Sequence, residues 1–168
     1  YVGGFAHLQK GHGISFADFD NDGDQDIYAV MGGAYEGDRF FNAFFNNPGF
    51  AAHYIKIRLR GTQTNYFGAH SRIKVNLITA KGKRSIYRQM DSGGSFGSNP
   101  YLAHIGLGKD AKRIESIEVY WPISKSTKIY TNIEMDHGYT LFEDQTDPKP
   151  YELKPFKWNL SVTHCNLN

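Results

Sequence analysis

Apolar and polar residues alternate along much of the chain, most sharply from residue 53 onward. Ile55, Ile57 and Leu59 fall on one side and Lys56, Arg58 and Arg60 on the other, the period-two pattern of a strand with one buried and one solvated face, stopped at Gly61. Ile73, Val75 and Leu77 repeat the pattern, Ala80-Lys81-Gly82-Lys83 supplies a turn, and residues 85–90 run back, so 71–90 reads as a β-hairpin. Ile117, Val119 and Trp121 then alternate against Glu118 and Tyr120 until Pro122, and residues 127–133 and 139–143 add further strands. About six or seven short strands of this kind predict a small β-sandwich or barrel over residues 51–144.

Before residue 50 the pattern differs. The runs Ile14-Ser15-Phe16-Ala17 and Ile27-Tyr28-Ala29-Val30-Met31 are short, β-branched and aromatic, and predict two strands around the loop Asp18-Phe19-Asp20-Asn21-Asp22-Gly23-Asp24-Gln25-Asp26. Downstream, Phe40, Phe41, Phe44 and Phe45 crowd into six residues. Each aromatic gains by burying roughly 150 Å² or more, so these rings are expected to plug this module onto its neighbour. Asn46-Asn47-Pro48-Gly49 is a break, and it places a boundary near residue 50. After 144 the periodicity fades, leaving Leu153, Phe156, Trp158 and Leu160 in a proline-containing stretch that reads as an irregular tail over 145–168.

The loop carries the most distinctive chemistry. Carboxylates a few ångströms apart repel by roughly 4 kcal/mol per pair at an effective dielectric of about 20, so a folded loop with five of them calls for a hard cation. Calcium takes about six to eight oxygen ligands in flexible geometry, which suits acids at alternate positions around a glycine bend. Magnesium demands a tighter octahedron and keeps more water. The EF-hand is excluded: its twelfth-position glutamate would fall on Ala29, and the flanks here are strands. We assign side-chain ligation of Ca2+ to Asp18, Asp20, Asp22 and Asp26, and a backbone carbonyl to Asp24.

Composition narrows the remaining classes. Nineteen Lys and Arg against 17 Asp and Glu give a net charge of +2, too small to argue for nucleic acid. Eighteen Gly, 11 Tyr and 12 Phe with almost no helical periodicity indicate an all-β chain. No run reaches the about 18 apolar residues of a membrane span. The single cysteine, Cys165, cannot form an internal disulfide, and the opening Tyr1-Val2-Gly3-Gly4 reads as the start of a piece of a longer chain. His7 and His12 have no regular metal-site spacing and read as structural or surface residues. The glycine and serine loop 91–100 lacks the following helix that phosphate cradling requires.

Two family resemblances follow from these residues. The strand-borne loop at 18–26 resembles the calcium loops of FG-GAP or VCBS repeats, which implies that residues 1–50 are a terminal β-propeller blade or part of one. Gly11-His12-Gly13, Gly37-Asp38-Arg39, Asn42-Ala43, Asn65 through Arg72-Ile73, Ser92-Gly93-Gly94-Ser95-Phe96-Gly97, Ile105-Gly106-Leu107-Gly108, Val119-Tyr120-Trp121-Pro122 and Glu143 resemble, in order, the ASPIC/UnbV domain that follows such repeats in the cartilage acidic protein-like family. One departure stands out: His70-Ser71 occupies the place where that family usually has Gly-Ala, so the turn there is expected to be reshaped.

The family resemblance implies secreted, extracellular or periplasmic proteins in matrix and adhesion settings, without an established catalytic activity. The residues agree, since they show no nucleophile elbow, no triad motif and no glycosidase pair. The expectation is a non-catalytic, calcium-stabilised extracellular interaction or adhesion module, contacting protein, matrix or glycan. A carbohydrate-binding module using Tyr87, Tyr101, Tyr120 and Trp158 is the first alternative; a self-associating structural subunit that pairs edge strands is the second. Asn159-Leu160-Ser161 satisfies the N-glycosylation sequon.

Overall fold

The computed structural model describes residues 10–157 apart from 34, 94 and 95. His7, Trp158, the sequon at Asn159, Cys165, and Gly94 and Ser95 of the glycine loop lie outside the described residues. Every regular element among those described is a strand. Accordingly, no helix there is long and apolar enough to cross a membrane.

Three sheets form. The first contains β1 (Gly11–Ala17), β2 (Asp26–Met31) and β3 (Ala43–Phe45), all antiparallel, in the order β1-β2-β3. Ala17 pairs with Asp26, so the acidic loop is the connection of the first hairpin. The second sheet uses β4 (His53–Arg60), β7 (Ala103–Gly108), β10 (Gly138–Phe142) and β11 (Lys149–Tyr151) in the order β11-β10-β4-β7, and β4 lies parallel to β10. The third uses β5 (Arg72–Thr79), β6 (Gly82–Gln89), β8 (Ala111–Trp121) and β9 (Ser126–Tyr130) in the order β6-β5-β8-β9. These two four-stranded sheets make an open sandwich. No barrel closes among the described residues.

The sandwich core takes in the three sets that alternation picked out on β4, β5 and β8, together with residues of β7 and β10 that it did not. Ile55, Ile57 and Leu59 of β4 join Ile73, Val75 and Leu77 of β5, Ile105 and Leu107 of β7, Ile117, Val119 and Trp121 of β8, and Leu141 of β10 in one buried cluster. Burying each such aliphatic chain contributes roughly 1.5–3 kcal/mol, which explains why period two governs these strands.

Two differences from the sequence reading concern what lies outside this core. Phe44 and Phe45 are half-buried, Phe44 against the edge of Phe19, whereas Phe40 and Phe41 are 50% and 86% exposed. The short strand β3 explains the split: it takes only the second pair of rings into the first sheet. Secondly, part of the stretch expected to be irregular is a strand, since β11 pairs with β10 and Arg58 lies over the Tyr151 ring at 4.0 Å.

The first sheet is held on the sandwich by loops from both ends. Along the outer edge of β1, Ile14 N–H donates to Phe96 O at 3.4 Å, Ser15 Oγ to Ser98 O at 3.0 Å and Phe16 N–H to Asn99 Oδ1 at 2.8 Å. Gly97 makes this approach possible: its φ is +87°, and a Cβ there would sit 2.3 Å from Ile14 O. Beyond β11, Phe156 N–H donates to Asp20 O at 2.9 Å and Asn21 Nδ2 donates to Lys154 O at 3.3 Å. The glycine loop and the C-terminal segment therefore both hold the module that carries the acidic loop.

Candidate metal centre

The loop leaves β1 at Ala17 and re-enters β2 at Asp26, and it turns by placing Asn21 at φ +58° and Gly23 at φ +102°. Short acidic side chains close this turn locally by accepting backbone N–H groups. Asp18 accepts Asp22 N–H on Oδ1 at 3.1 Å and Gly23 N–H on Oδ2 at 2.9 Å; Asp22 Oδ1 accepts Asp24 N–H at 2.9 Å. The result gathers Asp18, Asp20 and Asp22, with one carboxylate oxygen from each lying within 4.8 Å of the others.

Asp24 and Asp26 point their carboxylates elsewhere. Asp26 is 1% exposed and accepts Phe19 N–H on Oδ2 and Asn47 N–H on Oδ1, both at 2.9 Å. Asp24 Oδ2 accepts Phe50 N–H at 3.3 Å. These two acids tie the Asn-Asn-Pro-Gly break back to the loop, while the first three form the cluster.

Beneath the cluster lies a shelf of sandwich residues that the sequence reading did not assign to the site. Lys56, expected on a solvated face with Arg58 and Arg60, is 1% exposed, and its Nζ lies 2.8 Å from Asp18 Oδ2 and 2.9 Å from Asn21 Oδ1. Lys56 does point outward, but the acidic loop covers this part of the outward face of β4. His104, across from Lys56 on β7, is buried and bonds to the Gly23 backbone, while its Nδ1, 4.0 Å from Asp18 Oδ2, has no hydrogen-bond partner among the described residues. Tyr54 packs its ring where a Cβ on Gly23 would sit, 2.3 Å from Cε1, so the glycine serves both the turn and the docking. The one signal in the sequence that pointed toward Lys56 was the excess of negative charge in the loop.

Electrostatics at this junction follow from burial and crowding. Burial pushes the Asp20 carboxyl above its ordinary value, and the neighbouring Asp22 pushes it further, partly offset by the Asp22 backbone hydrogen bond. Burial likewise pushes the His104 imidazole below its ordinary value, helped by the Lys56 ammonium and opposed by Asp18. Three carboxylates against one ammonium leave two uncompensated negative charges. That deficit, presented on oxygen donors alone, fits one hard divalent cation held by Asp18, Asp20 and Asp22.

Other nominated residues divide by location. Tyr87 and Tyr120 lie on the outer face of the third sheet: Tyr87 pairs with Lys74, Tyr120 with Arg72, and residues two apart on β5 share a face. Tyr101 stacks on Phe67 at 5.3 Å, away from that face. His12 is exposed.

A family model described as ASPIC and UnbV matches residues 61–148. The chain belongs to the ASPIC and UnbV family. No curated protein matches the chain. The ASPIC and UnbV match runs from the end of β4 to the start of β11, so it takes in His104 but neither the acidic loop nor Lys56. His70 and Ser71 lie within the matched stretch. His70 adopts φ +67°, a left-handed conformation that suits glycine, and Ser71 is 0% exposed with no hydrogen-bond partner for its hydroxyl among the described residues.

Proposed function

We propose that this chain is a non-catalytic, calcium-stabilised extracellular module that presents an ASPIC and UnbV sandwich to a protein or matrix partner. We extend the reading to residues 1–50 as a terminal calcium-loop repeat of the FG-GAP or VCBS type. The observation that carries it is the gathering of Asp18, Asp20 and Asp22 in a hairpin connection docked on the sandwich. A cation held by these residues would supply charge neutralisation and stiffen the turn. Because the same loop is bonded to the glycine loop's neighbour strand and to the C-terminal segment, stiffening it would stabilise the whole junction.

The affinity expected of such a site is in the range of extracellular modules, about 10⁻⁴ to 10⁻³ M. With calcium at about ten times the dissociation constant the folded state gains about 1.4 kcal/mol. Thermal melts in EGTA and in millimolar calcium, with limited proteolysis in parallel, test this. Calcium should raise the midpoint and protect residues 18–26, and Asp20→Ala should abolish the difference. A melt indifferent to EGTA would sink the reading.

A second reading is supported by one observation. Tyr87, 70% exposed, and Tyr120 share the outer face of the third sheet with the hydrogen-bonded Lys74, Asn76 and Glu118, an arrangement of ring faces beside polar groups that suits sugar stacking. A blank glycan array would remove it.

A further inference from the structure

The ammonium of Lys56 has two partners, Asp18 Oδ2 and Asn21 Oδ1, and both belong to the acidic loop. It is 1% exposed, and His104 on the adjoining strand β7 is buried beside the pair. A buried ammonium of this kind is strongly unfavourable unless a carboxylate accompanies it. The reverse also holds: without Lys56, Asp18 would be a buried carboxylate facing two further acids. Lys56 comes from β4 and Asp18 from the end of the first hairpin, so this contact spans the junction between sheets.

We infer that Lys56 is a tethered counter-ion of the acidic loop. It holds Asp18 in place when no metal is present, and it sets the affinity of the loop for a divalent cation by keeping one positive charge permanently beside it. This deepens the cation reading proposed above and rests on it. The fixed charge accounts for how three crowded carboxylates remain docked on the sandwich, and it makes the loop a weak site that empties and fills without undocking. It also adjusts selectivity: two uncompensated charges match a divalent ion, whereas removing the ammonium leaves three.

The test compares the full chain with its Lys56→Met variant by calorimetric titration with calcium and with terbium. Removing the ammonium should tighten calcium binding by roughly tenfold or more, since a unit charge about 5 Å from a divalent ion costs that much even at the dielectric of water. The gain in log affinity should be larger for terbium, because Coulomb energy scales with ion charge. In metal-free buffer Lys56→Met should melt below the parent, with the gap narrowing at saturating calcium.

Calcium binding by the parent with equal or weaker binding by Lys56→Met would overturn the inference and leave the cation reading standing. If neither protein binds calcium and the parent melt ignores EGTA, the cation reading falls and this inference with it. Should Lys56→Met fail to fold, the pair Asp18→Asn and Asp18→Asn/Lys56→Met decides the counter-ion role in metal-free buffer. The double variant should melt above the single one, because it removes the orphaned ammonium; a double variant that melts lower overturns the inference.

Discussion

Thr64 grips the Glu143 carboxylate twice, donating its N–H to Oε2 at 2.8 Å and its hydroxyl to Oε1 at 2.8 Å. The N–H groups of Thr62 and Gln63 add to Oε2 at 2.7 and 2.9 Å, and Ser124 Oγ adds to Oε1 at 2.6 Å. One buried carboxylate thus organises the loop after β4 and the turn between β8 and β9. Glu143→Ala would leave these donors without an acceptor and should cost about 3–5 kcal/mol in urea unfolding. Glu143→Gln keeps the shape but turns one acceptor into a donor aimed at donors, and should lose nearly as much.

The same cluster makes a pH signature. Burial alone would raise the Glu143 carboxyl, but the hydrogen bonds from Ser124, Thr64 and Thr62 outweigh it and hold the value down at about 2, from an ordinary 4.5. A depressed folded value means that the stabilisation is fully present above the unfolded value of 4.5 and is lost as pH falls toward 2. Urea midpoints measured between those limits should fall by the equivalent of about 3 kcal/mol, and Glu143→Gln should flatten the profile.

At the turn through His70 and Ser71, smaller residues should stabilise the chain. His70→Gly relieves a left-handed conformation that costs a side-chain-bearing residue about 1–2 kcal/mol, less the flexibility glycine adds, for a net gain near 0.5–1 kcal/mol. Ser71→Ala removes a buried hydroxyl without a partner among the described residues and should add about 1 kcal/mol. Denaturant melts of the single and double variants check both; a loss in either would show that the turn uses the polar group.

Gly97→Ala should detach the glycine loop from β1. The added Cβ meets backbone, not a flexible side-chain tip, and the φ of +87° strains any other residue, so a cost of about 1–3 kcal/mol is expected. With Ile14 and Ser15 released, β1 becomes an open edge. Faster proteolysis within 91–100 and concentration-dependent light scattering are the readouts, and a variant that matches the parent in both would refute the clasp.

Much of the fold was legible because burial in a sandwich has a period the chain must repeat. Ile55, Ile57 and Leu59, or Ile117, Val119 and Trp121, declare their strand and its inner face without reference to any partner. The acidic loop declares itself for a similarly local reason, since the hydrogen bonds that shape it run between residues two to seven positions apart.

What the sequence determined by itself, then, was the strands of clear alternation with their core-facing sides and a turn dense in carboxylates, but not β3, β7 or β11. The tertiary structure decided which outward faces stay wet. Lys56 and Arg58 carry the same pattern on the same strand, yet the acidic loop buries one while the other stays exposed beside Tyr151. It also decided that Asp24 and Asp26 serve Phe50 and Asn47 while Asp18 meets an ammonium thirty-eight residues away. The physical reason is that alternation reports only that one face of a strand is covered. Whether the second face is covered too, and by which charge, depends on an element that is remote in sequence and adjacent only after folding.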